Sequence, residues 1–409
     1  MKFVFVVQPF NVCQYVIRKS FGASRRRMSI SKYMSSNIGS DSALYLESVS
    51  DLIDPNRSFF PIYYNDVYEV ILPPNHRFPM EKYRKVREKV QSVITSSSRI
   101  DETSRIMCDF RISPLATVSE LSTTHSLDYI QRFMSGDLSA SEIRNVGFPW
   151  NPSAVDRARS SVGGTVAAAV AVCQELKVRS SPNNRRTSMN DENYFTPTGC
   201  CWGAHVAGGT HHAFHDYGEG FCVFSDIAVA VNVVLQRFPD LVKRVLIIDL
   251  DVHQGNGNAV LFHRRDDVFT FSMHCSANYF SDKQTSDLDI ELPVDCNDET
   301  YLVSLRHWLK QIQKFAGPFD FIFYQAGVDI LSHDRLGRMN VSPEGVKRRD
   351  ALIYDYAANV LQIPMVITMG GGYPRPGTDW SHIIDAHANV YVEAYNFLSS
   401  RLSKNDSIH

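Results

Sequence analysis

The sequence predicts an α/β fold, a single domain built on a central, mostly parallel sheet flanked by helices. Three short β-branched or aromatic runs point to it: Val245-Leu-Ile-Ile248, Phe319-Asp-Phe-Ile-Phe-Tyr324 and Ile363-Pro-Met-Val-Ile-Thr368. Each leads into a Gly-rich or polar stretch, and helix-like segments such as Ser342 to Leu361 and Trp380 to Leu402 alternate with them. Strands buried on both faces read as continuous apolar runs, and their alternation with helices implies a parallel sheet covered on both sides. Ligands of such sheets sit beyond the carboxyl ends of the strands. All three runs deliver their polar residues at that end.

The composition agrees with one large core. Of 409 residues, 44% are hydrophobic and 11% aromatic, enough apolar material to bury an enzyme-sized interior. The 42 Lys+Arg against 44 Asp+Glu leave a net charge of -2, so no global basic field recruits nucleic acid or a membrane surface. No apolar run approaches the roughly 18 residues of a transmembrane helix. Eight cysteines, with no C-x-x-C pair, read as free thiols in a reducing compartment.

Along the chain, residues 1–57 read as a flexible N-terminal extension. No acidic residue precedes Asp41, while Lys2, Arg18, Lys19, Arg25, Arg26, Arg27 and Lys32 alternate with Ser and apolar positions. That is the composition of a mitochondrial or plastid transit peptide, and equally of an untargeted tail. The folded domain, 58–402, opens near a short strand at Pro61-Ile-Tyr-Tyr64, continues through a charged helix from Pro79 to Ser98, and includes an Ala/Val-rich helix from Val162 to Val178. The Ser/Asn/Arg-rich stretch 179–198 reads as a loop insertion and 403–409 as a tail. No period of 20 to 50 residues repeats, which removes solenoids and propellers.

The chemistry begins at Asp249-Leu-Asp251-Val-His253. In extended backbone the three polar residues point to one side, and two carboxylates with an imidazole on one face call for a positive partner. Asp329 supplies a further carboxylate after a second strand. One His and two Asp suit zinc with a fourth position open for water, the pattern of a catalytic site. Zinc lowers the pKa of water from about 15.7 to about 7. Asp249 is then free to orient an imidazole from the tandem pair His211 and His212, which follows Gly208-Gly209. Gly218-Glu-Gly220-Phe221 brings backbone and an aromatic ring close, and Tyr373, after three glycines, can present its hydroxyl to an oxyanion. Amide hydrolysis needs a nucleophilic water, a base, an acid for the leaving amine and an oxyanion donor, and each has a candidate here.

These motifs resemble the arginase-deacetylase superfamily and, within it, the class IV histone deacetylases and their bacterial and plant relatives. The matching stretches are Gly208-Gly-Thr-His211-His212, Gly220-Phe221-Cys-Val-Phe-Ser-Asp226, Ile248-Asp249-Leu-Asp251-Val-His253-Gln-Gly-Asn256-Gly257, Gln325-Ala-Gly-Val-Asp329 and Gly370-Gly-Gly-Tyr373. They follow the family's order, with weaker similarity from about Pro61 to Leu402. The resemblance implies one catalytic Zn2+ on Asp251, His253 and Asp329, His212 as general base, Tyr373 polarising the acyl carbonyl, and His211 paired with Asp249. It also implies a structural K+ near Asp249 and Ser272, held partly by the carbonyls of Asp251, His253 and Met273. Gly220 and Phe221 would line an acyl-lysine tunnel, with Tyr279 or Phe280 opposite. The implied partners are an acyl-lysine protein such as a histone, and corepressor proteins, in nucleus or cytoplasm.

Two departures bear on chemistry. Asn256 stands where class I deacetylases place an Asp against the second His, as in classes II and IV, and a neutral partner stabilises an imidazolium less. The acidic rim residue that grips substrate backbone in class I has no counterpart that can be placed, and Asn145-Val-Gly-Phe-Pro-Trp150 occupies that region. The class IV resemblance implies long-chain deacylation as much as deacetylation. The competing readings are an acetylpolyamine-type amidohydrolase of small amines, a two-manganese ureohydrolase, and a non-catalytic scaffold in a repressor complex.

Overall fold

The structure, a computed structural model, describes residues 3–6, 53, 57–74, 76–100, 106–180, 200–279 and 282–404. Nine strands make one sheet: β1 (Phe3–Val6), β2 (Ser58–Tyr64), β3 (Ile106–Ile112), β4 (Trp202–His205), β5 (Val245–Asp249), β6 (Val268–Cys275), β7 (Leu288–Leu292), β8 (Phe321–Gln325) and β9 (Met365–Thr368). Their order is β1-β7-β6-β5-β8-β9-β4-β2-β3, and every pairing is parallel. Parallel neighbours need crossovers, which the helices supply. These are α1 (Lys82–Ile100), α2 (Val118–Leu121), α3 (Leu127–Ser135), α4 (Ala140–Val146), α5 (Pro152–Ser180), α6 (Asp226–Arg237), α7 (Asn256–Leu261), α8 (Asp298–Phe315), α9 (Pro343–Asp355) and α10 (Ser381–Lys404).

The expected α/β architecture, covered on both faces, is the one observed. Successive residues of the central strands enter opposite cores, as the two-residue period of a strand requires. Leu246, Ile248, Ile322, Tyr324 and Ile367 pack with Val86 and Val90 of α1, Leu305 of α8 and Tyr391 of α10. Val245, Ile247, Phe321, Phe323 and Val366 pack with Val166 and Val170 of α5 and Ile227 and Val231 of α6. Among the described residues no helix is long and apolar enough to cross a membrane, and every cysteine described is free.

Four boundaries differ from the expectation. The helix expected from Val162 to Val178 is α5, Pro152–Ser180, which takes in the first two residues of the expected insertion. β2 starts at Ser58 and carries Pro61 inside it; β4 pairs with β2 only at Ile62 and Tyr63, so the N–H that proline lacks is not needed there. The helix expected over 342–361 is α9 followed by a wider π-helical turn, Tyr356–Leu361, which stops at Gln362 in the left-handed region at φ 56°. Phe3–Val6 joins the sheet edge beside β7, so that part of the chain departs from the flexible extension expected over 1–57. The remaining extension up to residue 52, the insertion from residue 181 on, and the tail beyond residue 404 lie outside the described residues.

Because β8 is central and Ile322 is fully buried, Ile322→Ala leaves a cavity the sheet cannot close. Urea unfolding should show a loss of about 2–5 kcal/mol in stability.

Candidate metal centre and active-site cavity

The strands β5, β8, β9 and β4 are consecutive in the sheet, and the chain leaving the carboxyl end of each one carries part of the site. From β5 come Asp251 and His253, from β8 Asp329, from β9 the Gly370–Tyr373 loop, and from β4 the loop bearing His211 and His212. Parallel pairing puts all these ends on one edge of the sheet.

Asp251, His253 and Asp329 are buried, with one ligand atom of each lying within 4.8 Å of the others. His253 Nδ1 is 3.1 Å from both Asp251 Oδ1 and Asp329 Oδ2. The outer oxygens are already used: Gly371 N–H donates to Asp251 Oδ2 at 2.7 Å and Val252 N–H to Asp329 Oδ1 at 2.9 Å. Gly371 has to be glycine, since a Cβ there would stand 2.0 Å from Asp329 Oδ2. The inner atoms of two carboxylates and one imidazole thus converge, and this donor set fits a divalent zinc-like cation with a position to spare.

The electrostatics carry the same message. Burial, then the charge of Asp251, raises Asp329 to about 6. Burial, then Asp329, raises Asp334 to about 7. Burial opposes charge on His253, but its bonds to Asp251 and Asp329 outweigh that and lift the imidazole to about 10. A proton on His253 is the stand-in for positive charge between two carboxylates, and a metal ion would take its place.

The two histidines have different partners. His211 Nδ1 lies 2.7 Å from Asp249 Oδ2; burial works against its charge, yet Asp249 and Asp251 prevail and its pKa rises. His212 Nδ1 lies 2.7 Å from Asn256 Oδ1. Asn256 turns its NH2 to Glu219 Oε1 at 2.7 Å, while Gly257 N–H donates to Asn256 Oδ1 at 3.0 Å. The amide orientation is therefore fixed, Nδ1 of His212 must be the donor, and Nε2 keeps its lone pair. Burial, then the charges of His211 and His253, drives the His212 pKa well below its ordinary value, so the ring is neutral.

Supporting groups hold these loops. Asp226, at the start of α6, accepts from the N–H groups of Gly209 and Thr210 at 3.0 and 2.7 Å and from the hydroxyls of Thr165 and Thr210 at 2.6 and 2.7 Å. Gly208 and Gly209, at φ 71° and 78°, make the turn this requires. Arg349, paired with Asp350 at 2.8 Å, donates to the carbonyl of Gly327 beneath the Asp329 turn. Asp334 accepts from the Tyr373 N–H at 2.6 Å. Lys82, 1% exposed, donates to the Gly372 carbonyl at 3.0 Å and lies 5.1 Å from the centre of the Tyr373 ring. Burial lowers its pKa to about 8 against the opposing pull of Asp329, Asp334 and Asp251.

One cavity of about 590 Å³ joins these groups. Its lining includes His211, His212, Asp251, His253, Gly220, Phe221 and Tyr373. The Phe221 ring stands 6.1 Å from that of Tyr373 and packs on Phe148 at 5.4 Å. Phe221 holds φ 67°, a strained value for a bulky residue, through its N–H bond to Val146 O at 2.8 Å. Tyr279 lines the outer part and is exposed; Phe280 lies outside the described residues. Asn145 to Trp150 also line the cavity, as neutral backbone and aromatic surface. Asp249 and Asn256 sit one layer back, behind the histidines they bond. Ser272 faces Asp249 across the β5–β6 register.

The sequence reading missed Lys82, Glu219, Asp334 and Arg349. Glu219 stood inside a stretch already singled out, and the buried end of α1 could have been suspected from the one Lys among its apolar positions.

Fold and site together define a class: parallel α/β proteins with a buried cluster of two carboxylates and an imidazole, able to hold a metal ion, at the carboxyl edge of the sheet. Residues 76–390 match the family model described as the histone deacetylase domain, and the chain belongs to that family. It is 35% identical over 317 residues to an uncharacterized protein of Picosynechococcus sp., covering 77% of this chain and 93% of that one. It is 32% identical over 177 residues to histone deacetylase 2 of Arabidopsis thaliana, 42% of this chain and 45% of that one. To histone deacetylase RPD3 of Saccharomyces cerevisiae it is 32% identical over 185 residues, 42% and 40% of the two chains. The matches span less than half the length of these two named deacetylases.

Two measurements test the site. Asp251→Asn and Asp329→Asn should each abolish tight uptake of added zinc by the purified chain, read by elemental analysis; full retention in either would remove it from the ligand set. Asn256→Asp alone sets two carboxylates against each other, so the informative protein is Asn256→Asp with Glu219→Gln, in which the Gln NH2 can donate to the new carboxylate. A carboxylate at Nδ1 stabilises the imidazolium, raises the His212 pKa and moves the acidic limb of kcat/KM up by about one pH unit. An acidic limb that stays in place or moves down would contradict this role for Asn256.

Proposed function

We propose that the chain is a zinc-dependent hydrolase of acyl-lysine amides in proteins, of the class IV type. The observation that carries this reading is the placement of a neutral imidazole, His212, and a phenol, Tyr373, on one cavity with Asp251 and His253, whose donor atoms converge with that of Asp329. Zinc held by those three residues would supply Lewis acidity and a water ionising near pH 7.

The residues then divide the work. The acyl-lysine chain enters past Phe221. His212 Nε2, with its lone pair fixed by the Asn256 bond on the opposite nitrogen, accepts the proton of the attacking water and returns it to the departing lysine nitrogen. The Tyr373 hydroxyl donates to the acyl oxygen as it becomes negative. Burial, then the charges of Asp329 and Asp251, raises the Tyr373 pKa, which keeps the phenol protonated as a donor must be. His211, held by Asp249, keeps its positive charge beside the reacting centre. The products are a free lysine amine and a carboxylate.

The K+ expected near Asp249 and Ser272 belongs to this proposal, supported by their direct pairing across β5 and β6. So does a protein substrate, a histone or another acylated chain, bound without an acidic clamp: the described rim offers Asn145, Arg77 and Arg338.

Turnover of an acetyl-lysine peptide, a long-acyl-lysine peptide and an acetylpolyamine by the zinc-loaded chain discriminates the readings. Hydrolysis of the lysine peptides with little of the polyamine is expected, and the reverse preference would replace the proposal with small-amine chemistry. Tyr373→Phe should lower kcat about 100- to 1,000-fold with KM little changed. Full activity in both Tyr373→Phe and His212→Ala would remove the mechanism.

A further inference from the structure

The cavity does not end at the metal centre. Its lining also takes in Arg157 of α5, a guanidinium only 8% exposed. Arg157 stacks on Tyr83 at 4.0 Å, and its Nη1 donates to the backbone oxygen and the side-chain Oδ1 of Asn65 at 3.2 and 2.5 Å. The Tyr83 hydroxyl also bonds Arg157, and all of these acceptors are neutral. Among the described residues no carboxylate lies within ion-pair distance of Arg157, and the neighbouring Asp66 is taken by Arg87 at 2.8 Å.

A guanidinium is always charged, carries five N–H donors in a planar fork, and matches a carboxylate in bidentate geometry. Left without a bonded counter-charge in a buried wall, it is one half of an ion pair. Ring contacts also give the order of groups along this wall. Lys82 Nζ lies 5.1 Å from the Tyr373 ring and 5.4 Å from the Tyr83 ring, and Arg157 lies against Tyr83. Lys82 is already committed, to the carbonyls of Gly370 and Gly372 and to the field of Asp329, Asp334 and Asp251. Arg157 has no carboxylate bonded to it; Asp66 and Glu69 act on its charge only from farther off. Ala154 and Ala158, one turn apart on α5, leave room beside it for a slender chain.

We propose that this inner chamber is a carboxylate subsite, so that the enzyme accepts lysine acyl groups ending in a carboxylate, of the succinyl and glutaryl class, with Arg157 as the residue that selects them. The inference rests on the acyl-lysine reading above. The acyl carbonyl lies at Tyr373, the methylenes run inward past the small residues, and the terminal carboxylate meets the guanidinium. The reaction needs no further reactant: water adds to the amide carbon, the C–N bond breaks, its nitrogen takes a proton, and a dicarboxylate leaves. The same arginine could receive the monocarboxylate product of any acyl group, and the test separates the two sources.

Peptides bearing acetyl-, pentanoyl- and glutaryl-lysine are compared in the zinc-loaded wild type, Arg157→Met and Arg157→Lys. Pentanoyl matches glutaryl in chain length and lacks its charge. Arg157→Met should cut kcat/KM for glutaryl about 100-fold more than for pentanoyl, chiefly through KM, with Arg157→Lys recovering part of it. Calorimetry with free glutarate, and pentanoate as control, reads the subsite without turnover: the wild type should bind glutarate and Arg157→Met should not, with melting curves confirming that both variants fold. Equal losses on the two peptides, or a wild type that cleaves acetyl-lysine but neither cleaves glutaryl-lysine nor binds glutarate, would overturn the proposal. Inhibition by acetate that depends on Arg157, with glutaryl turnover indifferent to it, would reduce the site to product docking and overturn it as well. Glutarate binding that depends on Arg157, with no cleavage of any peptide, would keep the subsite and sink the hydrolase reading.

Discussion

Four carboxylates, Asp249, Asp251, Asp329 and Asp334, are gathered at the carboxyl edge of the sheet, none more than 2% exposed. Uncompensated, such a cluster would be driven to bind protons instead of holding charge. The surrounding structure limits that without removing it, since Asp329 and Asp334 still rise to about 6 and about 7. Backbone N–H groups of Val252, Gly371 and Tyr373 reach three of the four, His211 answers Asp249, and Lys82 is sunk beside Tyr373 where its charge serves Asp251, Asp329 and Asp334 together. The glycine loops are there because those N–H groups must come close. The centre between Asp251 and Asp329 is bridged by the His253 imidazole, and the three donors there fit a divalent cation.

That constraint explains what could be read in the chain beforehand. The runs 245–248 and 363–368 are apolar on both faces because both faces are covered, and the polar residues after them recur with the period of extended backbone. Asp251, His253 and Asp329 follow from those local patterns. Lys82 and Arg157 do not: each acts on residues far away in sequence, Lys82 on Gly372 and Arg157 on Asn65. Within α5 Arg157 looks like an ordinary surface charge, and Lys82 stands out only by falling in line with the apolar positions of α1. The Asn256 side chain could be read as a substitution for Asp, but its anchoring by Glu219 depends on how two loops fold together. The β1 strand was hidden for a related reason, since four apolar residues ahead of a basic stretch carry no sign of a pairing partner.

The two tandem histidines show how one local sequence can be split into two electrostatic states. His211 faces a carboxylate and His212 a carboxamide, their rings 3.9 Å apart. Each makes the other's state more definite, because charge on His211 discourages charge on His212. The order of the two partners along the chain, Asp249 on the strand and Asn256 seven residues later at the start of α7, therefore decides which imidazole stays neutral.

The β5–β8 pairing sets Asp249 opposite Gln325, and Asp251 and Asp329 lie two and four residues beyond that pair. A slip of one residue between the strands would turn one carboxylate away from the other. On the zinc reading proposed above, uptake of a divalent ion would therefore report strand register, without any substrate. A refolded sample can be scored for the share of molecules whose central strands have found their correct alignment by titrating metal alone.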